Sequence, residues 1–404
     1  MSNPYREIFR APGTRGFAAA GFVARLPIAM APIGIVTMLA QTHGEYWLAG
    51  AVAAAFTLTN AFVAPLISRL VDRFGQARLL VPTAAVSVVA FAALMLATRM
   101  GWPAWTLFVS ALLAAAMPSI PAMVRARWTH LFRDRPELHT AFAFESVADE
   151  LVYIAGASLS VGLSVALFPE AGVLASTLFL AVGMTAFVLQ RATEPPVQPA
   201  GPRARHSAIR LPSVQIVTAA LVFVGALFAT AEVSTVALTR ELGQPDAASL
   251  VIAGYAAGSF VVGLIIGALH LKAPLQRQLF TALTVVLLTT LPLLLVDSVA
   301  ALAGAIFLSG VAISPTFITA FGLIERRVPP EALTEGVTWV MTGIGIGMAL
   351  GAFVSGAVVD AFGARSGFWV SAGAATLALL TVALGQGVLA GTRSDAEPRP
   401  APAE

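Results

Sequence analysis

The sequence predicts an all-α integral membrane protein of twelve transmembrane helices, and three observations carry that prediction. Of 404 residues, 58% are hydrophobic and only 11% charged, whereas a soluble domain carries about 25% charged residues. A water-facing surface of this size is out of reach, and the mean hydropathy of +0.84 agrees. Charged or Pro/Gly-rich breaks divide the chain into twelve apolar runs, each close to the roughly 20 residues that a bilayer span requires. The basic residues fall almost entirely in alternate breaks, which is the mark of membrane topology.

Taken in order, the first run, 16–40, follows a polar N-terminal segment and lacks a small-residue cleavage pattern, so it reads as a retained span and not a signal peptide. Runs 47–68, 79–98, 103–124, 140–166 and 171–190 complete a first set of six. The break 191–212, RATEPPVQPAGPRARHSAIRLP, is rich in proline and arginine, has no helical period, and reads as a linker. A second set of six follows at 213–238, 247–270, 277–297, 299–322, 332–358 and 367–390. The Pro- and charge-rich tail 391–404 is expected to be disordered. The expected organisation is therefore a six-helix bundle over 1–190, a cytoplasmic linker over 191–212, a second bundle over 213–390, and a tail.

With the N-terminus placed in the cytoplasm, twenty of the 24 Lys and Arg residues lie on the cytoplasmic face. Only Arg99, Arg240 and Arg365 lie on the other, and Arg25 lies inside a span. By the positive-inside rule both termini are expected to be cytoplasmic, with the chain multi-pass in a cell (inner) membrane. The pI near 9.8 thus reflects topology and not nucleic-acid binding. Zero cysteines exclude thiolate chemistry and disulfides. The five histidines stand singly, away from metal-ligand spacing. No G-x-x-x-x-G-K-[ST] motif is present, so ATP drive is not expected, and neither is a metal or other cofactor.

The break after the second run reads Ser68-Arg-Leu-Val-Asp72-Arg73-Phe-Gly75-Gln-Ala-Arg78. It resembles G-x-x-x-D-R-x-G-R-R-R, the signature of the major facilitator superfamily, at the place where that family carries it. Asp72, Arg73, Gly75 and Arg78 match; Ser68 replaces the glycine, and Gln76 and Ala77 replace two basic residues. A worn copy, Gly267-Ala-Leu-His-Leu-Lys272, follows the eighth run, with Leu271 in place of the acid. Pro136-Glu137 before the fifth run recurs as Pro330-Glu331 before the eleventh, and Gly356-Ala-Val-Val-Asp360-Ala-Phe-Gly363 closes the eleventh. The resemblance implies two six-helix bundles around a central cavity, a conformational latch at Asp72, Arg73, Gly75 and Arg78, and transport of a small molecule by alternating access. It also implies that the first, fourth, seventh and tenth helices line the cavity.

Ionisable residues within spans cost a few kcal/mol on insertion scales and mark candidate sites. Arg25 lies about nine residues into the first run, roughly 14 Å deep at 1.5 Å per residue. Glu145, Asp149 and Glu150 lie at similar depth in the fifth run, which the family places beside the first. Glu145 and Asp149, four residues apart, share one helix face with Tyr153 a turn further, while Glu150 points about 100° away. Arg125 and Arg127 leave the fourth run at the same cytoplasmic end and are candidates to join the cluster. Either a static pair fixes helix packing, or the cluster exchanges partners and one acid binds a proton or a cationic substrate; both readings stand at this point. Glu232, the acid set deep in a second-bundle span toward its outer third, is either a candidate for contact with substrate or protons or a side chain that snorkels outward to water. Glu335 suits a helix N-terminus. Gly343, Gly347 and Gly351 lie four apart on one face and permit close helix contact. Pro27, Pro32, Pro118, Pro121 and Pro315 predict kinks in runs one, four and ten.

The expected function is secondary transport of a small organic solute, as proton-coupled export by a monomer. Import of a metabolite, a lipid-modifying membrane enzyme, and a transport-dead sensor are the alternatives. The lone histidines speak against the enzyme, and the short linker and tail against a sensor with a soluble domain.

Overall fold

A computed structural model of the chain describes residues 4–43, 46–197, 207–244, 247–269, 271 and 273–390. A short helix, Pro4–Ile8, precedes twelve helical spans. These are α1 (Thr14–Arg25 and Pro27–His43), α2 (Tyr46–Phe74), α3 (Gln76–Arg99), α4 (Ala104–Ala114 and Ile120–Phe132), α5 (Glu137–Ala166) and α6 (Ala171–Leu189). The second set is α7 (Pro212–Glu241), α8 (Ala247–Ala268), α9 (Leu275–Thr290), α10 (Val299–Gly310 and Ile313–Arg327), α11 (Leu333–Phe362) and α12 (Ala364–Leu384). Among the described residues eleven are long and apolar enough to cross a membrane, and α4 supplies the twelfth in two pieces. The fold is all-helical and multi-pass. Large apolar side chains such as Phe62 (62% exposed), Trp369 (66%) and Phe353 (78%) stand on its outer surface, where water would penalise them and acyl chains do not.

Several helices outrun their apolar runs. α2 continues to Phe74 and α11 to Phe362, so Asp72 and Asp360 lie on final helical turns and not in loops. Backbone hydrogen bonding, unlike hydropathy, stops only where the chain must reverse. Gly75 (φ +92) and Gly363 (φ +86) supply the left-handed turns, a conformation that costs glycine nothing. At Leu26 the break in α1 follows from Pro27, which has no N–H to continue the ladder.

The chain forms two compact units. The first holds Met1–Arg205 with Gly263–His270, and the second His206–Val262 with Leu271–Glu404. The end of α8 falls in the first unit, where side chains of that unit hydrogen-bond its last carbonyls. The Tyr5 hydroxyl donates to Leu264 O (2.9 Å) and Thr140 Oγ1 to Gly267 O (2.8 Å), and His139 Nε2 lies 3.0 Å from Ile266 O. Burial pushes the Tyr5 phenol up to about 12, so it remains a donor at neutral pH. Linker residues 198–206, with Arg203 and Arg205, and the tail 391–404 lie outside the described residues.

In the second unit α7 and α11 meet backbone to backbone. A methyl at Gly343 would stand 2.8 Å from Thr218 O, and methyls at Gly347 and Gly351 would run into the carbonyls of Val222 and Ala226. The four-residue glycine spacing thus lies against α7 along its length. Thr230 Oγ1 donates to Ala226 O (2.6 Å), and the hydroxyls of Ser234 and Ser355 are 3.3 Å apart along the same seam.

Candidate functional site: a buried four-charge network

The break at Leu26 leaves Arg25 as the last residue of the first piece of α1, only 1% exposed. Its Nε donates back to Gly21 O (3.2 Å), which aims the guanidinium across to α5. There Nη1 donates to Asp149 Oδ1 (2.8 Å) and Nη2 pairs with Glu145 Oε2. Glu145 and Asp149 lie one helical turn apart, so a single planar guanidinium spans both carboxylates.

The inner piece of α4 completes the arrangement. Arg125 Nη2 donates to the other Asp149 oxygen, Oδ2, at 2.7 Å, and Trp128 Nε1 donates to Glu145 Oε1 at 2.8 Å. Every carboxylate oxygen of the two acids therefore accepts a donor. Trp128 is completely buried, with ring centres 4.6 Å from Phe17, 5.8 Å from Phe132 and 6.0 Å from Phe9. Two guanidinium and two carboxylate groups balance in charge, which offsets most of the cost of burying them. Glu145 is wholly buried, while Asp149 retains 8% exposure. Asp149 is thus both the acid shared by two cations and the one nearer to water.

The other candidates lie elsewhere. Glu150 is half-buried on the next face of α5, and Tyr153 is exposed one turn beyond Asp149. Glu232 is exposed on α7. Asp72 is half-buried, Arg73 and Arg78 are exposed, and Gly75 is buried at the α2–α3 turn. Arg73 stacks 5.1 Å from the Phe74 ring centre. Glu335 is buried in the first turn of α11, accepts from Trp339 Nε1 (3.3 Å), and also accepts from Ser207 Oγ. Among the described residues no group of acids and histidines is arranged to hold a metal.

Trp128 was missing from the sequence reading, since a tryptophan near a span end looks like membrane-interface packing until its Nε1 partner is seen. Of the two arginines expected to join the cluster from the end of the fourth run, Arg125 does so and Arg127 bonds elsewhere. It is fully buried, donating from Nε to Gln76 Oε1 (2.8 Å) and from Nη1 to Gln190 O (2.8 Å) and Thr193 Oγ1 (2.9 Å), 3.8 Å above the Phe187 ring. Glu194 Oε1 accepts from Ala77 N (2.8 Å) at the start of α3, where an anion suits the helix dipole. The departure of Gln76 from the family signature now has a cause: a basic residue there would face the Arg127 guanidinium. Gln76→Arg is expected to cost about 3–5 kcal/mol, the range for an unpaired buried charge. Thermal melting of the purified protein reads the loss, and adding Arg127→Gln should restore most of it.

Among the described residues the second unit has no copy of the four-charge network. Counted from Pro136-Glu137 and Pro330-Glu331, Glu145 corresponds to Trp339 and Asp149 to Gly343. Counted from Phe22-Val23 and Phe223-Val224, Arg25 corresponds to Ala226. Charges join α1 to α5 where glycines join α7 to α11.

Comparison with known proteins bears on what this scaffold is. A sequence search of characterised proteins returns no match. Among solved structures, the chain is similar to the human organic anion transporter MFSD10 (TETRAN), with TM-score 0.71 and 15% identity over 92% of this chain and 100% of that one. It is similar to a bacterial homologue of the iron transporter ferroportin in its outward-facing state, with TM-score 0.73 and 15% identity over 93% and 100%. A third likeness is to the E. coli fucose:proton symporter FucP, with TM-score 0.65 and 16% identity over 91% and 98%. The family model described as Major Facilitator Superfamily matches residues 17–236 and again 218–403. With both halves of the chain matched and the whole fold shared, this protein belongs to the major facilitator superfamily of membrane solute transporters.

Proposed function

We propose that this chain is a proton-coupled exporter of a small hydrophobic or amphipathic organic solute, working as a monomer in the bacterial inner membrane with both termini cytoplasmic. The observation that carries the proton reading is Asp149, held between Arg25 of α1 (2.8 Å) and Arg125 of α4 (2.7 Å) and still 8% exposed. A carboxylate that two cations share changes its partners when it takes up a proton. Because α1 and α4 line the cavity in this family, that change is felt where a solute would lie. Glu232 on α7 serves as a second acid on the solute path, Glu150 as an accessory acid beside the network, and Asp72, Arg73, Gly75 and Arg78 as the latch of one end state. The apolar character of the cavity helices favours an apolar cargo.

Proton-driven uptake is the second reading, favoured by the likeness to a fucose:proton symporter. The test is a solute panel on proteoliposomes that contain a trapped pH-sensitive dye, with proton gradients imposed in both directions. Export predicts that one solute moves against protons. Co-movement selects uptake, and transport without proton flux removes coupling.

The orientation has its own test, made clean by the absence of native cysteine. Val197 is 52% exposed in the linker, and Thr42 is exposed at the end of α1. In intact cells Val197→Cys is expected to resist a membrane-impermeant thiol reagent while Thr42→Cys reacts. The reverse pattern would overturn the charge-based topology.

A further inference from the structure

α4 and α10 are interrupted at matching places. The second piece of α4 begins at Ile120 and that of α10 at Ile313. Ile120 stands sixteen residues before Pro136, and Ser314 sixteen residues before Pro330. Interruptions at corresponding positions of two halves expose backbone groups within the membrane, where each unsatisfied group costs several kcal/mol. Proline removes an N–H, through Pro118 and Pro121 in α4 and Pro315 in α10, but it satisfies nothing that the break exposes.

A neighbouring helix does so in each half. From α2, Asn60 Nδ2 donates to Ala115 O (3.0 Å) and Met117 O (2.9 Å), the carbonyls left at the end of the first piece of α4. From α8, the fully buried Ser259 Oγ accepts from Ser314 N (3.1 Å) at the start of the second piece of α10 and lies 3.0 Å from Ser314 Oγ. Asn60 stands eight residues before Ser68, and Ser259 eight residues before Gly267, the first positions of the two signature copies. The two residues occupy the same place in the two halves. One supplies donors for stranded carbonyls, and the other an acceptor for a stranded amide.

We infer that Asn60 and Ser259 are a matched pair of positioning residues that hold α4 and α10 broken at one level and so fix the angle of each inner piece. In α4 that inner piece carries Arg125 and Trp128, so Asn60 sets where both donors meet Asp149 and Glu145. The inference concerns helix geometry and goes beyond the proton reading, holding whether or not Asp149 is the proton carrier.

The test reads bend separately from stability, on the full chain in lipid nanodiscs. Spin labels at Trp105→Cys and His130→Cys, both exposed on opposite pieces of α4, report its bend by pulsed electron-spin distance measurement. Labels at Ala301→Cys and Arg326→Cys, likewise exposed, report the bend of α10. Asn60→Leu is expected to shift the α4 distance beyond the width of the wild-type distribution and leave the α10 distance unchanged. Ser259→Ala should do the reverse, and Asn60→Gln, which keeps both N–H donors, should return the α4 distance toward wild type. If Asn60→Leu fails to fold, Asn60→Ser, which supplies the hydroxyl used by the second half, is measured in its place with the same expectation. Lower melting temperatures with both distances at wild-type values would make these residues structural only and overturn the inference.

Discussion

Arg25→Ala is expected to unfold or inactivate the protein, at a cost of about 3–5 kcal/mol for breaking a buried ion pair from one side. Glu145 and Asp149 would lose their shared cation and leave one uncompensated negative charge in the buried core. The geometry also specifies which second change repairs the loss. Arg25→Ala with Glu145→Gln leaves Arg125 and Asp149 in contact at 2.7 Å, a balanced pair, so most of the lost stability should return. Arg25→Ala with Asp149→Asn leaves Arg125 and Glu145 without a shared contact and should recover less. Adding Glu150→Gln should recover nothing. A double-mutant cycle on thermal stability reads all three. Equal recovery from every acid, or none from any, would mean that the network is not the energetic unit its contacts describe.

The second large effect is steric. Gly347→Val is expected to abolish the folded second unit, because even a methyl at Gly347 would overlap the Val222 carbonyl and the Ala226 amide nitrogen, both helix backbone. Flexible side chains can move aside; two packed helix backbones cannot. Overpacking in a close-packed core costs roughly 1–3 kcal/mol where side chains can adapt, and here the contact is with backbone, so the loss should exceed that range. Gly345→Ala is the control, since a methyl there meets nothing within 4 Å. Yield of monodisperse protein after detergent extraction separates the two. Normal yield for Gly347→Val would show that the α7–α11 seam is looser than the packing requires.

The glycine seam was legible in the sequence because spacing alone puts Gly343, Gly347 and Gly351 on one face. The pairing of Arg25 with Glu145 and Asp149 followed from equal depth, counted from the same membrane surface, together with the family resemblance, which sets the first and fifth helices side by side. Trp128 and Asn60 were not legible. Each is a single polar atom whose partner lies on another helix, and no spacing within one span records the contact. The position of the α4 break was hidden for the same reason: Pro118 and Pro121 announce an interruption, but Asn60 decides where its carbonyls are satisfied. Glu194 at the start of α3 joins residues 117 positions apart, beyond the reach of local pattern. Helix ends were misplaced at Phe74 and Phe362 because hydropathy falls several residues before the hydrogen-bond ladder ends at a left-handed glycine.

In the proposed mechanism a proton taken up at Asp149 drives transport by loosening the grip of Arg25 and Arg125. Asp149→Asn keeps the shape of the side chain, removes its titration and reproduces the charge of the protonated acid, a state through which the proposed cycle passes; it is tested on protein shown to be folded. Proteoliposomes bearing this variant are loaded with the solute found to move protons in wild type, and both proton flux and solute exchange at equal concentrations are recorded. Proton flux is expected to disappear while exchange persists, because binding and rocking survive but the drive does not. Undiminished solute-driven proton flux through Asp149→Asn would contradict the proposed mechanism.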